Sequence, residues 1–337
     1  MPEPTILCII LNFRTPELTL KAAQAAVREM QDMGGEVLIV DNCSGDDSFE
    51  LLRSEAAEKG WLKAGLVRVV QTGKNRGFGN GNNFGIRLGL SSGEKPDFVY
   101  ILNSDAWPDP GAVRKLHQAM RADPKVGIAG SSVRGVDDQP HCTAFRFPTI
   151  AGEFEGAART GFISNMLRTS IVPMKLPTQA TKVNWVAGAS MMLRHRMLDE
   201  IGLFDETFFL YFEETELCHR AAQAGWATIY APASEVVHVG SASTQLKTWA
   251  RTPRYWYDSR LYYFTKVHGR GYAARATAAR IAGCLIWQMR VLVSDKPYAD
   301  PPRFLRDLVA HSLRGLFKGG TLRRPASFTS PISEESK

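Results

Sequence analysis

The chain has 337 residues, 44% of them hydrophobic and 22% charged, which is enough to bury a full core and to form about two structural units. Its ordinary composition, without an obvious repeat or low-complexity tract, argues against a disordered or solenoid protein. Its five scattered cysteines include no CxxC pair, which argues against a disulfide framework or a zinc ribbon and favours a reducing compartment.

The net charge of +7 is concentrated towards the C-terminus. Residues 247–324 hold 16 Lys and Arg against 4 Asp and Glu, whereas residues 1–246 hold 24 against 28. Such a basic region predicts contact with phosphates, anionic lipid headgroups or nucleic acid, although a solvated basic helical face would look the same. Nucleic acid is disfavoured because the region contains no recognisable binding module.

Membrane contact, if it occurs, is expected to be peripheral. The N-terminal segment TILCIIL is strand-length and lacks the basic region and cleavage site of a signal peptide. No apolar run approaches the ~20 residues of a membrane-spanning helix. The segment RIAGCLIWQMRVLV, with Trp287 suited to an interface and basic flanks, predicts attachment to the inner face of the cytoplasmic membrane. A packing helix or a homodimer contact is the alternative, and the chain is otherwise expected in the cytoplasm.

Apolar strand-like runs alternate with helical patterns through the first 130 residues, which predicts βαβ units and a mostly parallel sheet. Ligands of such sheets bind at the carboxyl ends of the strands. The polar residues that follow the predicted strands should therefore line one crevice. These residues are Asn12, Asp41, Asn42, Asn75, Arg76, Asn103, Ser104 and Asp105.

The second half has a weaker pattern. Loops and short helices are expected at 145–182, and a strand or buried segment at 183–194. A helix is predicted at 212–225, and two short strands at 226–232 and 235–240. Two amphipathic helices should follow between Trp249 and Val293, with a disordered tail after Gly319.

Two nucleotide-facing motifs are weak when taken singly. Asp41 in VDNCSGDDS follows a strand, where it could accept hydrogen bonds from a nucleobase or ribose or only stabilise the turn. The small residues of GKNRGFGNGNNFGI precede a helix and would let backbone approach an anionic ligand, with Arg76 as a charge partner. No Gly-Lys-Ser/Thr follows, so it is not a P-loop, and a tight turn is the alternative.

The strand end LNSDAWPDPG carries one carboxylate, Asp105, where a metal site would use several oxygen ligands. A substrate diphosphate could supply some of these ligands, and His238, at the end of a later short strand, is a candidate for another. A purely structural role for either residue remains the alternative.

Three glutamates, Glu213, Glu214 and Glu216, open a predicted helix directly after the aromatic run FFLYF. Acidic residues in a first turn complement the helix dipole. An apolar surrounding also raises the pKa of a carboxyl group, which suits it to accept a proton near neutral pH. These residues are therefore candidates for a general base.

The order of these motifs, completed by the long stretch from WVAGASMMLR to EVVHVGSAST, resembles the family-2 glycosyltransferases of GT-A fold over about residues 5–245. The similarity is greatest to the bacterial rhamnosyltransferase-like branch. It implies an α/β, Rossmann-like and mostly parallel sheet flanked by helices. A GT-A domain would cover residues 1–245, with a nucleotide-binding half to about 130 and an acceptor half after it. A basic helical region at 246–319 and the tail at 320–337 would follow.

The resemblance also implies roles for individual residues. Glu213 and Glu214 match the family's catalytic pair, whose second member is the expected base. Asp105 and His238 would bind Mg²⁺ or Mn²⁺, and Trp185, Gly188 and Ala189 would line the acceptor side. The residues expected to contact the nucleotide are Asn12, Phe13, Asp41, Arg76, Asn82, Asn83, Ser104 and Asp105.

Two positions depart from the family pattern. Asn103 stands where the first Asp of the DxD motif is expected, although similar sequences of this branch often carry Asn-x-Asp. Glu214 stands in place of an Asp, and its longer side chain leaves open whether Glu213 is the working carboxylate.

The function implied by the resemblance is inverting transfer of L-rhamnose from dTDP-L-rhamnose to a hydroxyl of a glycan or lipid-linked saccharide in cell-surface polysaccharide synthesis. A different donor such as a UDP-sugar, or a non-catalytic nucleotide-sugar-binding subunit, remains open. A sugar nucleotidyltransferase would need a basic, glycine-rich loop after the first strand, which LNFRTPE does not provide.

Overall fold

A computed structural model describes residues 5–31, 33–240, 250–293 and 300–317. The described helices are α1 Pro16–Gln31, α2 Ser48–Glu58, α3 Phe78–Leu88, α4 Ala112–Arg121, α5 Ile150–Ala158, α6 Gly161–Met166, α7 His195–Ile201, α8 Glu213–Gln223, α9 Arg254–His268, α10 Arg270–Leu292 and α11 Phe304–Phe317. The described strands are β1 Ile6–Asn12, β2 Glu36–Asp41, β3 Val67–Gln71, β4 Phe98–Asn103, β5 Ala106–Pro108, β6 Val126–Arg134, β7 Pro140–His141, β8 Ala144–Phe145, β9 Thr181–Val183, β10 Trp185–Val186, β11 Ser190–Arg194 and β12 Ala227–His238.

The central sheet has the strand order β3-β2-β1-β4-β11-β6-β12-β5. Strands β1 to β4 run parallel to one another, and β11 is inserted antiparallel between β4 and β6. The order reverses on either side of β1, and a crevice forms at such a switch point because the flanking crossover connections diverge there. The carboxyl ends of β1, β2 and β4 therefore meet in one place, as predicted.

Helices cover both faces of the sheet, which is why its strands are apolar at consecutive positions. Along β1, Ile6, Cys8 and Ile10 pack with α1, α2 and α4, whereas Leu7 and Ile9 pack with α3, α7 and α8. All five side chains are buried. The sheet is therefore the middle layer of a three-layer α/β structure.

Two features differ from the sequence prediction. The two short strands expected at 226–232 and 235–240 are one continuous strand, β12, whose pairing register with β6 shifts between Ala231 and Glu235. Pro232 lies in this irregular stretch and lacks the amide hydrogen that an uninterrupted ladder requires, so the strand bulges rather than ends. Helix α11 was not predicted as a separate element.

The two helices predicted between Trp249 and Val293 are present as α9 and α10, and they pack on the α/β layers. Arg260 of α9 is fully buried and donates two hydrogen bonds to Glu153 of α5, at 2.8 and 2.6 Å. Arg280 of α10 reaches the same carboxylate at 3.2 Å. In the described parts of the chain no helix has the length and apolarity needed to cross a bilayer. The predicted tail at 320–337 lies outside the described residues.

Candidate active site

The floor of the crevice is a hydrogen-bonded cluster at the ends of β1 and β2. Asn12 Nδ2 donates to Asp41 Oδ1 at 2.7 Å, and the hydroxyl of Ser44 donates to the same oxygen at 2.5 Å. The other oxygen, Asp41 Oδ2, accepts from the backbone amide of Ser44 and from Gln71 Nε2. Asp41 thus stabilises the turn after β2. Its predicted contact with a base or ribose would be made from this fixed position.

The second strand end that borders the crevice is that of β4. Asp105 Oδ1 lies 3.0 Å from His238 Nε2, although the two residues are 133 positions apart in the chain. Asn103 Nδ2 lies 3.3 Å from the same imidazole nitrogen. The pairing of β12 with β5 places His238 opposite Ala106, which explains the proximity. Ser104 is buried, and its hydroxyl lies 3.1 Å from Thr15 Oγ1.

The glycine-asparagine loop before α3 is held against residues 208–212. Gly77 has a φ of +100°, and the amide of Phe78 donates to the carbonyl of Phe209 at 3.0 Å. A Cβ at position 77 would lie 1.9 Å from that carbonyl oxygen. The glycine is therefore required by both the backbone conformation and the close approach of Phe209.

Gly77→Ala is expected to destabilise the protein by about 2 kcal/mol or more, because the new methyl group overlaps backbone and the conformation excludes a side chain. Gly93→Ala is the matched control, since Gly93 also has a positive φ but its Cβ would meet no atom within 4 Å. Chemical denaturation of the two variants measures the difference. Equal free energies of unfolding would contradict the requirement at Gly77.

The remaining nucleotide-side residues have varied surroundings. Arg76 is exposed at the crevice loop, and Phe13 is half-buried with the guanidinium of Arg14 5.3 Å from its ring. Asn82 is buried and donates to the carbonyl of Phe78. Asn83 donates to the Phe204 carbonyl and to Glu206, so its amide ties α3 to the loop before α8. A direct nucleotide contact by these residues stays a prediction.

The acidic pair opens α8 after two strained residues. Tyr211 and Phe212 have positive φ values of 69° and 71°, which non-glycine residues adopt at an energetic cost. They turn the chain so that Glu213 is buried and Glu214 is half-buried at the first turn of α8. One oxygen of each carboxylate is buried without a hydrogen-bond partner among the described residues. A buried oxygen without a hydrogen-bond partner destabilises the fold, unless a substrate group donates a hydrogen bond to it.

Burial raises the pKa of Glu213 well above its ordinary value, and the neighbouring carboxylate of Glu214 adds to the increase. Burial likewise raises the pKa of Glu214, although hydrogen bonds from its own amide and that of Gly188 partly oppose the effect. Both directions agree with the expectation that an apolar surrounding would prepare one of these carboxylates to accept a proton. Glu216 differs, because it is ion-paired with Arg220 at 2.8 Å and with Lys266 at 2.6 Å.

Glu213→Gln is expected to raise the free energy of unfolding at pH 8 by about 1 kcal/mol or more, with a smaller effect at pH 5. The unfolded chain releases this proton at lower pH than the folded chain, so wild-type stability falls as pH rises through the interval between the two pKa values. Denaturant titrations at both pH values test this. Glu50→Gln, an exposed glutamate in the first turn of α2, is the control for the helix-dipole contribution. A difference that does not change with pH would contradict the prediction.

The segment predicted to line the acceptor side connects the two halves of the site. The indole of Trp185 stacks on Phe145 at 4.0 Å between ring centroids. Glu214 Oε1 lies 4.0 Å from the position that a Cβ on Gly188 would occupy. The carbonyl of Ala189 accepts from the amide of Asn103 at 3.0 Å. The segment Gly188–Ala189 thus lies between Glu214 and the end of β4.

Several residues that position the site were not found from the sequence. Ser259 of α9 donates to the carbonyl of Leu210, and the ring of Tyr255 lies 5.5 Å from that of Phe209. Lys266 bridges Glu216 and Asp205, with 2.6 Å to each. Burial disfavours ionisation of Asp205, but hydrogen bonds from Lys266, Thr207 and Tyr262 outweigh it and lower the pKa to about 2. Helix α9 therefore holds residues 205–212 in place.

Comparison with known proteins identifies the family. The sequence model described as Glycosyl transferase family 2 matches residues 8–200, which is more than half of the chain. The chain belongs to glycosyl transferase family 2. An N-acetylglucosaminyl-diphospho-decaprenol L-rhamnosyltransferase of Mycobacterium tuberculosis is 29% identical over 215 residues, covering 62% of this chain and 67% of the relative. The low-salt glycan biosynthesis hexosyltransferase Agl10 of Haloferax volcanii is 25% identical over 219 residues, covering 63% and 60%.

Solved structures support the fold of this family-2 glycosyltransferase. The mannosyltransferase PcManGT of Pyrobaculum calidifontis, in complex with GDP-Man and Mn²⁺, superposes with a TM-score of 0.56 at 15% identity over 94% of this chain and 82% of that chain. GalNAc-T7 with UDP, GalNAc and Mn²⁺ gives a TM-score of 0.57 at 14% identity, covering 92% and 54%. The predicted GT-A fold and the rhamnosyltransferase-like resemblance are confirmed. The chain is a glycosyltransferase.

Proposed function

We propose that this glycosyltransferase moves L-rhamnose from dTDP-L-rhamnose to a hydroxyl of a lipid-linked saccharide, with inversion at the anomeric carbon. The observation that carries the mechanism is the Glu213–Glu214 carboxylate pair, with raised pKa values, which the segment Gly188–Ala189 links to the strand end that bears Asp105. The choice of sugar and acceptor is supported by the Mycobacterium tuberculosis relative, which is named for L-rhamnose transfer to a diphospho-decaprenol-linked sugar.

The residues at the end of β4 suit a divalent cation. Asp105 offers a carboxylate, His238 an imidazole nitrogen 3.0 Å away, and Asn103 a neutral amide. Within the described ranges no group of three His, Cys, Asp or Glu residues converges as a complete metal site. A donor diphosphate would supply the remaining oxygen ligands. Mg²⁺ or Mn²⁺ bound there would neutralise the charge that develops on the leaving diphosphate.

Glu214 acts as the general base in the proposed reaction. Its carboxylate accepts the proton of the acceptor hydroxyl as that oxygen forms a bond to the anomeric carbon. The bond from the anomeric carbon to the diphosphate oxygen breaks on the opposite face, so a single displacement inverts the configuration. The raised pKa makes Glu214 a stronger base than a solvated carboxylate, and the amide of Gly188 orients it.

A screen of nucleotide sugars for donor hydrolysis, with Mn²⁺ and with EDTA, tests the proposed donor and metal. Cleavage of dTDP-L-rhamnose should exceed that of UDP- and GDP-sugars and should stop with EDTA. Preferential cleavage of another nucleotide sugar would show that the donor is not dTDP-L-rhamnose. Full activity in EDTA would show that the reaction does not need the proposed divalent cation. Transfer to a diphosphate-linked saccharide with a short lipid chain tests the acceptor class separately.

A further inference from the structure

The C-terminal half of α10 presents an apolar stripe to solvent. Its exposed positions follow a helical repeat, and several carry large side chains: Leu285 is 47% exposed, Met289 59% and Leu292 85%. Ala278 and Ala282 continue the same face towards the N-terminus, so this face carries no charge over four turns. A soluble helix normally places charged residues on its solvent side, which makes this stripe unusual.

Helix α6 carries two further exposed apolar side chains, although it lies more than a hundred residues earlier in the chain. Arg290 of α10 donates to Thr160 Oγ1 at 2.8 Å and to the carbonyl of Arg159, which brings the start of α6 beside the end of α10. One turn apart on α6, Phe162 is 75% exposed and Met166 66% exposed. These two side chains lie on a separate element, so the stripe itself is formed by α10 alone.

Trp287, which the sequence suggested as an interface residue, lies on the opposite side of α10. It is only 6% exposed and packs near the guanidinium of Arg159. Gly283, one turn earlier, lets α10 pack against α5, since a Cβ there would lie 2.5 Å from the carbonyl oxygen of Phe154. The buried side of α10 is therefore its packing side, and the residues available to a partner are Leu285, Met289 and Leu292.

The charge around the apolar face is positive. The acidic residues of the described C-terminal helices and their flanks are each ion-paired with an arginine: Asp258 with Arg254, Asp300 with Arg159 and Asp307 with Arg251. Exposed arginines flank or follow the stripe at positions 275, 303, 306 and 314. Arg303 and Arg306 also line an open cavity between α10 and α11, together with Gln288. The exposed apolar stripe of α10 thus belongs to a C-terminal region with a surplus of exposed cations.

We propose that this face, formed by Leu285, Met289 and Leu292 of α10, docks on an anionic lipid bilayer. Apolar side chains that enter the headgroup boundary, together with exposed arginines that meet lipid phosphates, are the features of a helix that lies on a membrane. A second copy of the chain fits less well, because two such faces would bring their arginines together. The inference rests on the proposed function, since a lipid-linked acceptor places the reaction at a membrane surface.

The same helices connect this face to the catalytic residues. Arg260 of α9 donates to Thr277 Oγ1 of α10 at 3.1 Å, and Ser259 of α9 donates to the carbonyl of Leu210, three residues before Glu213. Docking through α10 would therefore set the orientation of the acceptor side relative to the bilayer.

Flotation of the purified full chain with lipid vesicles tests the proposal. The wild type should float with vesicles made of equal parts phosphatidylglycerol and phosphatidylcholine. Much less protein should float with vesicles of phosphatidylcholine alone, or with the mixed vesicles at high salt. The double substitution Leu285→Glu with Met289→Glu should lower the partition coefficient by ~10-fold or more, because it places two charges in the contact. Val136→Glu is the matched control, since Val136 is 68% exposed on the turn between β6 and β7.

Equal flotation of the wild type and the double variant would overturn the proposal, as would failure of the wild type to bind anionic vesicles at low salt. A wild-type dimer in solution that the double variant converts to a monomer would assign the face to self-association instead. Unchanged thermal unfolding and unchanged donor hydrolysis show that the variant is folded. Flotation needs neither donor nor acceptor, so failure of the proposed transfer reaction would be seen independently.

Discussion

Replacing Glu214 by Gln is expected to lower turnover by ~10²–10⁴, because the amide cannot accept the proton of the acceptor hydroxyl. The side chain keeps its size and can still accept a hydrogen bond from the amide of Gly188, so folding and donor binding should change little. Steady-state kinetics with saturating donor measure the effect. The loss should fall on kcat, with the KM for the donor within a few-fold of the wild-type value.

The pH profile distinguishes a base from a structural role. Wild-type kcat/KM should fall as pH drops below the raised pKa of the base, since protonation removes its ability to accept a proton. The Gln variant should lose that acid limb. Glu213→Gln is the control next to it, because Glu213 shares the burial and the raised pKa. A large loss with Glu213→Gln and a small one with Glu214→Gln would assign the base to Glu213.

Replacing Asp105 by Ala is expected to reduce turnover by ~10³-fold or more and to remove the effect of Mn²⁺ on nucleotide binding. Asp105 is the carboxylate that faces His238, at 3.0 Å. Without it the imidazole and the amide of Asn103 should hold a divalent cation poorly. Calorimetric titration with dTDP, in Mn²⁺ and in EDTA, measures the metal contribution apart from turnover.

Asp109→Ala provides the comparison for this variant, because Asp109 lies four residues later and is paired with Arg134 at 2.7 Å. It should leave the Mn²⁺ effect intact. His238→Ala should weaken the Mn²⁺ effect in the same direction as Asp105→Ala. Tight, Mn²⁺-dependent binding of dTDP by the Asp105 variant would contradict the proposed metal site.

Much of the nucleotide side could be predicted from sequence because its determinants are local. A parallel strand places its carboxyl end at one edge of the sheet, so the residue after each apolar run is known to border the crevice. Asn12 and Asp41 do meet there, at 2.7 Å. The pKa shift of Glu213 could also be predicted in direction, since the preceding aromatic run implies burial.

Sequence reasoning was less successful where long-range packing decides the structure. The two short strands predicted at 226–232 and 235–240 form the single strand β12, because β6 continues alongside both of them and a bulge accommodates Pro232. The sequence did not show which side of α10 Trp287 lies on, because both faces of this helix carry apolar residues. The role of α9 in holding residues 205–212 was missed, since Ser259 and Lys266 carry no motif.

The sequence by itself determined the α/β class, the family and the chemical types at the site, because these follow from periodicity and from motif order. Only the tertiary structure decided which groups meet. The separation of Asp105 from His238 is 133 residues along the chain but 3.0 Å in space, through the pairing of β12 with β5. The same applies to Trp287, which is buried because α5 and α10 pack together through Gly283. Such contacts depend on the free energy of packing distant segments, which no local pattern encodes.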